Sequence, residues 1–146
     1  EAKKYIDHYF ETYPKIKEFL DGTVAKAKEE GCVRTLYNRR RPIPELSSSN
    51  FMQRAFGERI AMNSPLQGTA ADIMKIAMLR VEKRISEETK NSRLILQIHD
   101  ELLVEAALDE KETVIRILQE EMESAANLEV PLEVEAKTGL SWYEAK

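Results

Sequence analysis

A helical pattern from about Phe51 to Ile85, with Pro65 in its middle, constrains this chain more than any other feature. Ser47-Ser48-Ser49-Asn50 precedes it as a polar break rich in N-cap residues. Beyond Pro65 the apolar residues Leu66, Ala70, Ile73, Ala77, Val81 and Ile85 recur at helical steps, predicting one buried stripe. Two readings of Pro65 stand. A new helix begins at Ser64, with Pro65 at its first position and Ser64-x-x-Gln67 as a capping box. Alternatively, a single long helix is kinked at the proline.

The flanking segments are shorter. Residues 1–12 read as a helix with Tyr5, Ile6, Tyr9 and Phe10 on one side. Pro14 opens a second helix carrying Ile16, Phe19, Leu20, Val24 and Ala27, and Gly31 stands at its stop. Residues 32–43 predict a hairpin or extended excursion, because Pro42-Ile43-Pro44 is incompatible with a helix interior. Leu94–Ile98 and Leu102–Val104 are two β-type runs separated by His99-Asp100-Glu101, which predicts a tight antiparallel hairpin with charges at its tip. A helix over 109–127 follows, with Val114, Ile115, Leu118, Met122 and Ala125 as its apolar face. Leu132, Val134 and Ala136 alternate with Glu133, Glu135 and Lys137, predicting a strand with one wet face, and Trp142 and Tyr143 are expected to pin the tail. No internal repeat and no dividing linker appear. The fold class expected is α+β, an antiparallel sheet with helices on one face.

Composition narrows the class. Charged residues at 33% and apolar residues at 42% suit a soluble folded chain, and no apolar run approaches a membrane span. With the single Cys32 no internal disulfide forms, so a cytoplasmic setting is expected. The chain opens on Glu1 without Met or a signal core, and so reads as cut from something longer. The net charge of -4 hides an asymmetry. Residues 31–93 carry 12 Lys and Arg against 6 Asp and Glu, whereas residues 94–146 carry 4 against 13. The basic middle is suited to a polyanion; the acidic end is either metal-holding or a solvated face.

Three groups of residues are candidates for chemistry. The hairpin tip sets His99, Asp100 and Glu101 between apolar strands, and oxygen ligands on a rigid turn suit Mg²⁺. An ordinary charged turn is the plain alternative. His99-Asp100 also matches the dipeptide of metal-dependent phosphohydrolases, but only His8 remains to complete such a site. Arg59, Asn63 and Gln67 stand at i, i+4 and i+8, and form one polar stripe if the helix continues through Pro65. Such a stripe suits a nucleic-acid groove, with a solvent-facing helix as the alternative. Gly68 inside this helix costs about 1 kcal/mol relative to Ala, which suggests a close approach there. Arg34, Arg39, Arg40 and Arg41, with Tyr37 interleaved, suit phosphate contacts.

Taken in order, these stretches resemble family A DNA polymerases, at the C-terminal end of the bacterial polymerase I type. Gln97-Ile98-His99-Asp100-Glu101-Leu102 is similar to the family's last catalytic motif, motif C. Met62-Asn63-Ser64-Pro65-Leu66-Gln67-Gly68-Thr69-Ala70-Ala71-Asp72 resembles its N-x-P-x-Q-G-x-A-A-D helix. Gly31–Leu36 followed by Arg39–Pro44 resembles the hairpin at the base of its fingers, and the closing Val130-Pro131-Leu132 and Trp142 continue the likeness.

The resemblance implies roles. Asp100 would be one of two catalytic aspartates holding Mg²⁺, Glu101 a supporting carboxylate, and His99 a neighbour of the primer terminus. Arg59, Asn63 and Gln67 would track the minor groove of primer–template DNA, and Arg39, Arg40 and Arg41 would contact the template backbone. The reaction implied is template-directed transfer of deoxynucleoside triphosphates to a primer 3′-hydroxyl in replication and repair, by two Mg²⁺ ions. Residues 1–52 would end the fingers and residues 53–146 would form the C-terminal part of a palm with an antiparallel sheet. The family's other aspartate and its triphosphate-gripping Arg and Lys have no counterpart in this sequence. The chain alone is therefore expected to be inactive and to need the rest of the polymerase, with no membrane partner. The competing expectation is a non-catalytic nucleic-acid-binding module with a palm-like sheet.

Overall fold

α1 (Ala2–Thr12) and α2 (Pro14–Glu30) meet at Tyr13, where Pro14 takes the first helical position of α2. Gly31 ends α2 in the left-handed region, at φ 66, with its N–H bonded to the Ala27 carbonyl. The chain then forms β1 (Cys32–Arg34) and β2 (Arg40–Pro42), an antiparallel pair. A short 3₁₀ turn, Pro44–Ser47, leads to α3 (Phe51–Glu88). β3 (Arg93–Ile98) and β4 (Glu101–Glu105) form a second antiparallel pair, and α4 (Lys111–Glu123) follows. The computed structural model describes residues 1–145. The architecture is α+β, two antiparallel two-stranded sheets flanked by helices.

Two compact units result, Glu1–Thr69 and Ala70–Lys146. The core of the first gathers Ala27, Val33, Ile43, Leu46 and Ala61, with Val24 and Ile60 packed against it. In the second, Val81, Ile85 and Ile117 form the core, supported by Leu102, Val104, Leu118 and Met122.

α3 is one helix of 38 residues with Pro65 inside it, so no new helix begins at Ser64. Asn50 caps its start, its Oδ1 accepting the Met52 N–H at 2.8 Å. An interior proline removes a ladder hydrogen bond and costs about 3 kcal/mol. Packing offsets that cost on both sides. Ala61 is sealed in the first core, and Ala77, Val81 and Ile85 are sealed in the second unit. The stripe expected beyond Pro65 is correct only for its later members. Leu66 is 61% exposed, and Ala70 is exposed too. Ser64 and Asp72 are buried on this helix instead.

Two further expectations are corrected. Leu132–Lys137 keeps its alternation, with Leu132, Val134 and Ala136 half-buried and Glu133, Glu135 and Lys137 exposed, but it pairs with no strand among the described residues. A strand requires a ladder partner as well as a pattern. The tail is not pinned by Tyr143, which is 92% exposed; Trp142 is partly covered.

Candidate metal-binding tip and nucleic-acid interface

Only His99 and Asp100 join β3 to β4, since the last ladder pair is Ile98 with Glu101. So tight a turn needs a left-handed residue. His99 supplies it at φ 51, a region that histidine enters more readily than bulkier side chains. The Gln97 side-chain amide donates to the His99 carbonyl at 2.7 Å and braces the turn. Leu102 and Val104 pack into the second core, so the hairpin is seated on its helices along one face. The hairpin also borders a groove of about 840 Å³, whose lining includes Ile98, Asp100, Glu101 and Trp142. A register irregularity between Leu94 and Leu96 leaves Ile95 unpaired and 53% exposed. His99, Asp100 and Glu101 are all exposed.

Asp100 and Glu101 are neighbouring oxygen donors, the chemistry a hard divalent cation takes. Among the described residues, no group of three or more His, Cys, Asp or Glu side chains is arranged to hold a metal ion. The tip thus presents two neighbouring exposed carboxylates.

The feet of this hairpin are tied by residues that sequence inspection missed. Glu110 accepts the Lys90 N–H at 2.7 Å, the Asn91 N–H at 3.2 Å and the Ser92 hydroxyl at 2.5 Å. The Ser92 oxygen in turn accepts the Ala107 N–H at 3.1 Å. The Ser92 hydroxyl, followed by the Lys90 amide, holds the Glu110 carboxyl below its ordinary pKa. Arg93 pairs with Glu105 at 2.6 Å across the same end of the ladder. No local signal announces this cluster, because its members lie up to 20 residues apart.

Arg59, Asn63 and Gln67 are exposed on α3. The helix runs through Pro65, so their spacing does place them along one face. The Arg59 guanidinium lies over the Phe56 ring, 5.8 Å from its centre.

In the first unit, Arg39, Arg40 and Arg41 are exposed on the β1–β2 hairpin. Arg34 stands directly opposite Arg40 in the ladder. Like charges so placed are destabilising unless an anion lies between or beside them. Arg34 is partly balanced by Glu30 at 3.9 Å, and it donates to the Asn38 Oδ1 at 3.0 Å. Asn38 sits at φ 63, the left-handed position of this turn. The turn docks on α3, where the Leu36 N–H donates to Thr69 Oγ1 at 2.9 Å. Gly68 makes the docking possible, since a Cβ there would lie 2.6 Å from Thr35 Cγ2. The close approach that the sequence suggests at Gly68 is thus made by a threonine methyl.

Comparison with known proteins agrees with this arrangement. Residues 1–144 match the model of DNA polymerase family A. The chain is 54% identical over 146 residues to DNA polymerase I of Caldicellulosiruptor bescii, covering all of this chain and 17% of that protein. It is 47% identical over 146 residues to DNA polymerase I of Lactococcus lactis subsp. cremoris, again 17% of that protein. A solved structure described as the POL domain of Pol1 from M. smegmatis in complex with DNA primer-template and dNTP aligns with TM-score 0.95 and 41% identity. The alignment covers 99% of this chain and 26% of that one. The chain thus spans about a sixth of the length of the curated relatives it matches. On the family match over nearly every residue, this chain belongs to DNA polymerase family A.

Proposed function

We propose that this chain serves, within a longer DNA polymerase, as the segment that presents catalytic carboxylates and part of the primer–template track. Residues 1–52 fall to the fingers and residues 53–146 to the palm. The observation that carries this reading is the two-residue turn His99-Asp100 that leaves Asp100, and Glu101 at the start of β4, exposed at the end of a hairpin seated on its own helices. Membership in the family supports it, as does the relative described with DNA primer-template and dNTP.

In the reaction, a primer 3′-hydroxyl attacks the α-phosphate of a deoxynucleoside triphosphate and pyrophosphate leaves. Mg²⁺, when bound, neutralises charge on the transferring phosphoryl group. Asp100 would hold the cation through its carboxylate, with Glu101 supporting it from the next position. His99 borders the primer terminus. Asn63 and Gln67 donate to the minor-groove N3 and O2 acceptors that every correct base pair presents, and so test geometry without reading sequence. Arg59 accompanies them along the groove. Arg39, Arg40 and Arg41 take backbone phosphates, and the facing Arg34–Arg40 pair favours an anion there. The setting proposed is the cytoplasm; Cys32 is free and buried.

Primer extension with Mg²⁺ by the whole polymerase carrying this segment tests the reading. Replacing Asp100 with Ala removes several kcal/mol of charge stabilisation, which at about 1.4 kcal/mol per decade is roughly a 10³-fold loss of rate. An Asp100→Ala enzyme that extends primers normally would leave this chain a non-catalytic nucleic-acid-binding module.

A further inference from the structure

Glu110 is the residue that precedes α4, yet its side chain makes no capping bond to that helix. A carboxylate at this position ordinarily bonds to its own helix N–H groups, a contact whose loss is unfavourable. Here it turns instead to the Lys90 and Asn91 amides and the Ser92 hydroxyl. Ser92 then bonds to Ala107. Four backbone or hydroxyl groups are thereby drawn to one carboxylate and one hydroxyl. The strand entering the hairpin, at Ser92, and the strand leaving it, at Ala107, are stapled to each other and to the start of α4.

Leverage gives this staple its importance. β3 has six residues, so its far end lies about 20 Å from its foot at roughly 3.3 Å per residue. A swing of about 3° at the feet displaces the tip by about 1 Å, and errors of that size cost as much as about 10²-fold in rate. A two-stranded ribbon has little rigidity of its own.

We propose that Glu110, acting with Ser92, is a positioning residue that fixes the feet of the β3–β4 hairpin so that Asp100 is held in register at its tip. The inference rests on the catalytic reading of Asp100 given above. Glu110 touches neither substrate nor metal and acts through the hairpin backbone.

Three variants in the whole polymerase test it: Glu110→Gln and Ser92→Ala to open the staple, and Ser92→Thr to retain the hydroxyl. Amide exchange at Asn91 and Ala107 reports opening, and thermal melting reports folding. Single-turnover primer extension across a Mg²⁺ titration reports function. For Glu110→Gln we expect faster exchange at both amides and a maximal rate about 10- to 100-fold lower, with the triphosphate KM within about twofold. Ser92→Thr should restore wild-type rates where Ser92→Ala does not. Three results overturn the inference: a folded Glu110→Gln enzyme with opened feet and a wild-type rate; a deficit that disappears on cooling below the melting range; or a KM change without a rate change. Asp100→Ala is assayed alongside. If it extends primers normally, the catalytic reading falls and takes this inference with it. If it is inactive while Glu110→Gln is normal, this inference alone falls.

Discussion

Asn63 and Gln67 carry the most local claim in the molecule, that single amide donors gauge the primer end. Each stands exposed on α3. Changing either to Ala should weaken handling of the primer terminus by about 0.5–1.5 kcal/mol, the net worth of one hydrogen bond. Single-nucleotide extension from matched and mismatched primer ends measures this, and unchanged kinetics on both ends in both variants would remove the stripe from the mechanism. Their alignment along one face was legible in the sequence because i, i+4, i+8 spacing has one meaning on a continuous helix. The same holds for Gly31, whose left-handed stop follows from its lack of a side chain. Tyr143 was not legible. An aromatic residue in a tail carries no sign of whether a neighbour will cover it, and here it is exposed. Glu110 was hidden for a related reason, since Asp109-Glu110 before a helical run looks like ordinary capping chemistry.

Among the elements, α3 and α4 are joined in the second unit by a charged lattice. Arg84 pairs with Glu88 at 2.6 Å, Glu120 at 2.6 Å and Glu121 at 3.0 Å, and Arg116 reaches Glu88 at 2.8 Å. The Arg84 guanidinium, then that of Arg116, holds the Glu88 carboxyl at a pKa of about 2 against an ordinary 4.5. The three carboxylates around Arg84 raise its own pKa further. A carboxyl that ionises more readily folded than unfolded favours the fold wherever it is charged. The contribution is therefore complete above about pH 5 and disappears as the pH falls from 4.5 through 2. Thermal melting of the second unit should fall across that window, and an Arg84→Met variant should show a flatter acid limb. An equally steep limb in the variant would mean that other carboxylates carry the acid response. The helices and the second hairpin were readable from period and turn residues, although the helix expected over 109–127 spans only Lys111–Glu123 and the segment 32–43, read as a hairpin or an extended excursion, is a hairpin. The strand expected at 132–137 was not realised, because pattern describes one face whereas a ladder needs a neighbour.

For the whole chain, charge is divided along the sequence, with a basic stretch at residues 31–93 and an acidic stretch at 94–146, and the proposed function assigns phosphate contact to the first and cation binding to the second. No helix is long and apolar enough to cross a membrane among the described residues. Because the resemblance to the family leaves its other aspartate and its triphosphate-gripping Arg and Lys without counterparts in this sequence, the 146-residue chain alone should not extend a primer at any Mg²⁺ concentration. Extension by the purified chain, abolished by Asp100→Ala, would show that it carries a complete site. What could be read before folding was whatever depends on near neighbours: the helical segments, the left-handed stop, a hairpin with charged residues at its tip and the motifs that mark the family. Folding alone decided that Pro65 leaves α3 whole, that Leu66 is exposed while Ser64 and Asp72 are buried, and that Glu110 holds Ser92. Each of those outcomes depends on partners distant along the chain, and hydrogen bonds and burial form only where the chain brings such groups within a few ångströms.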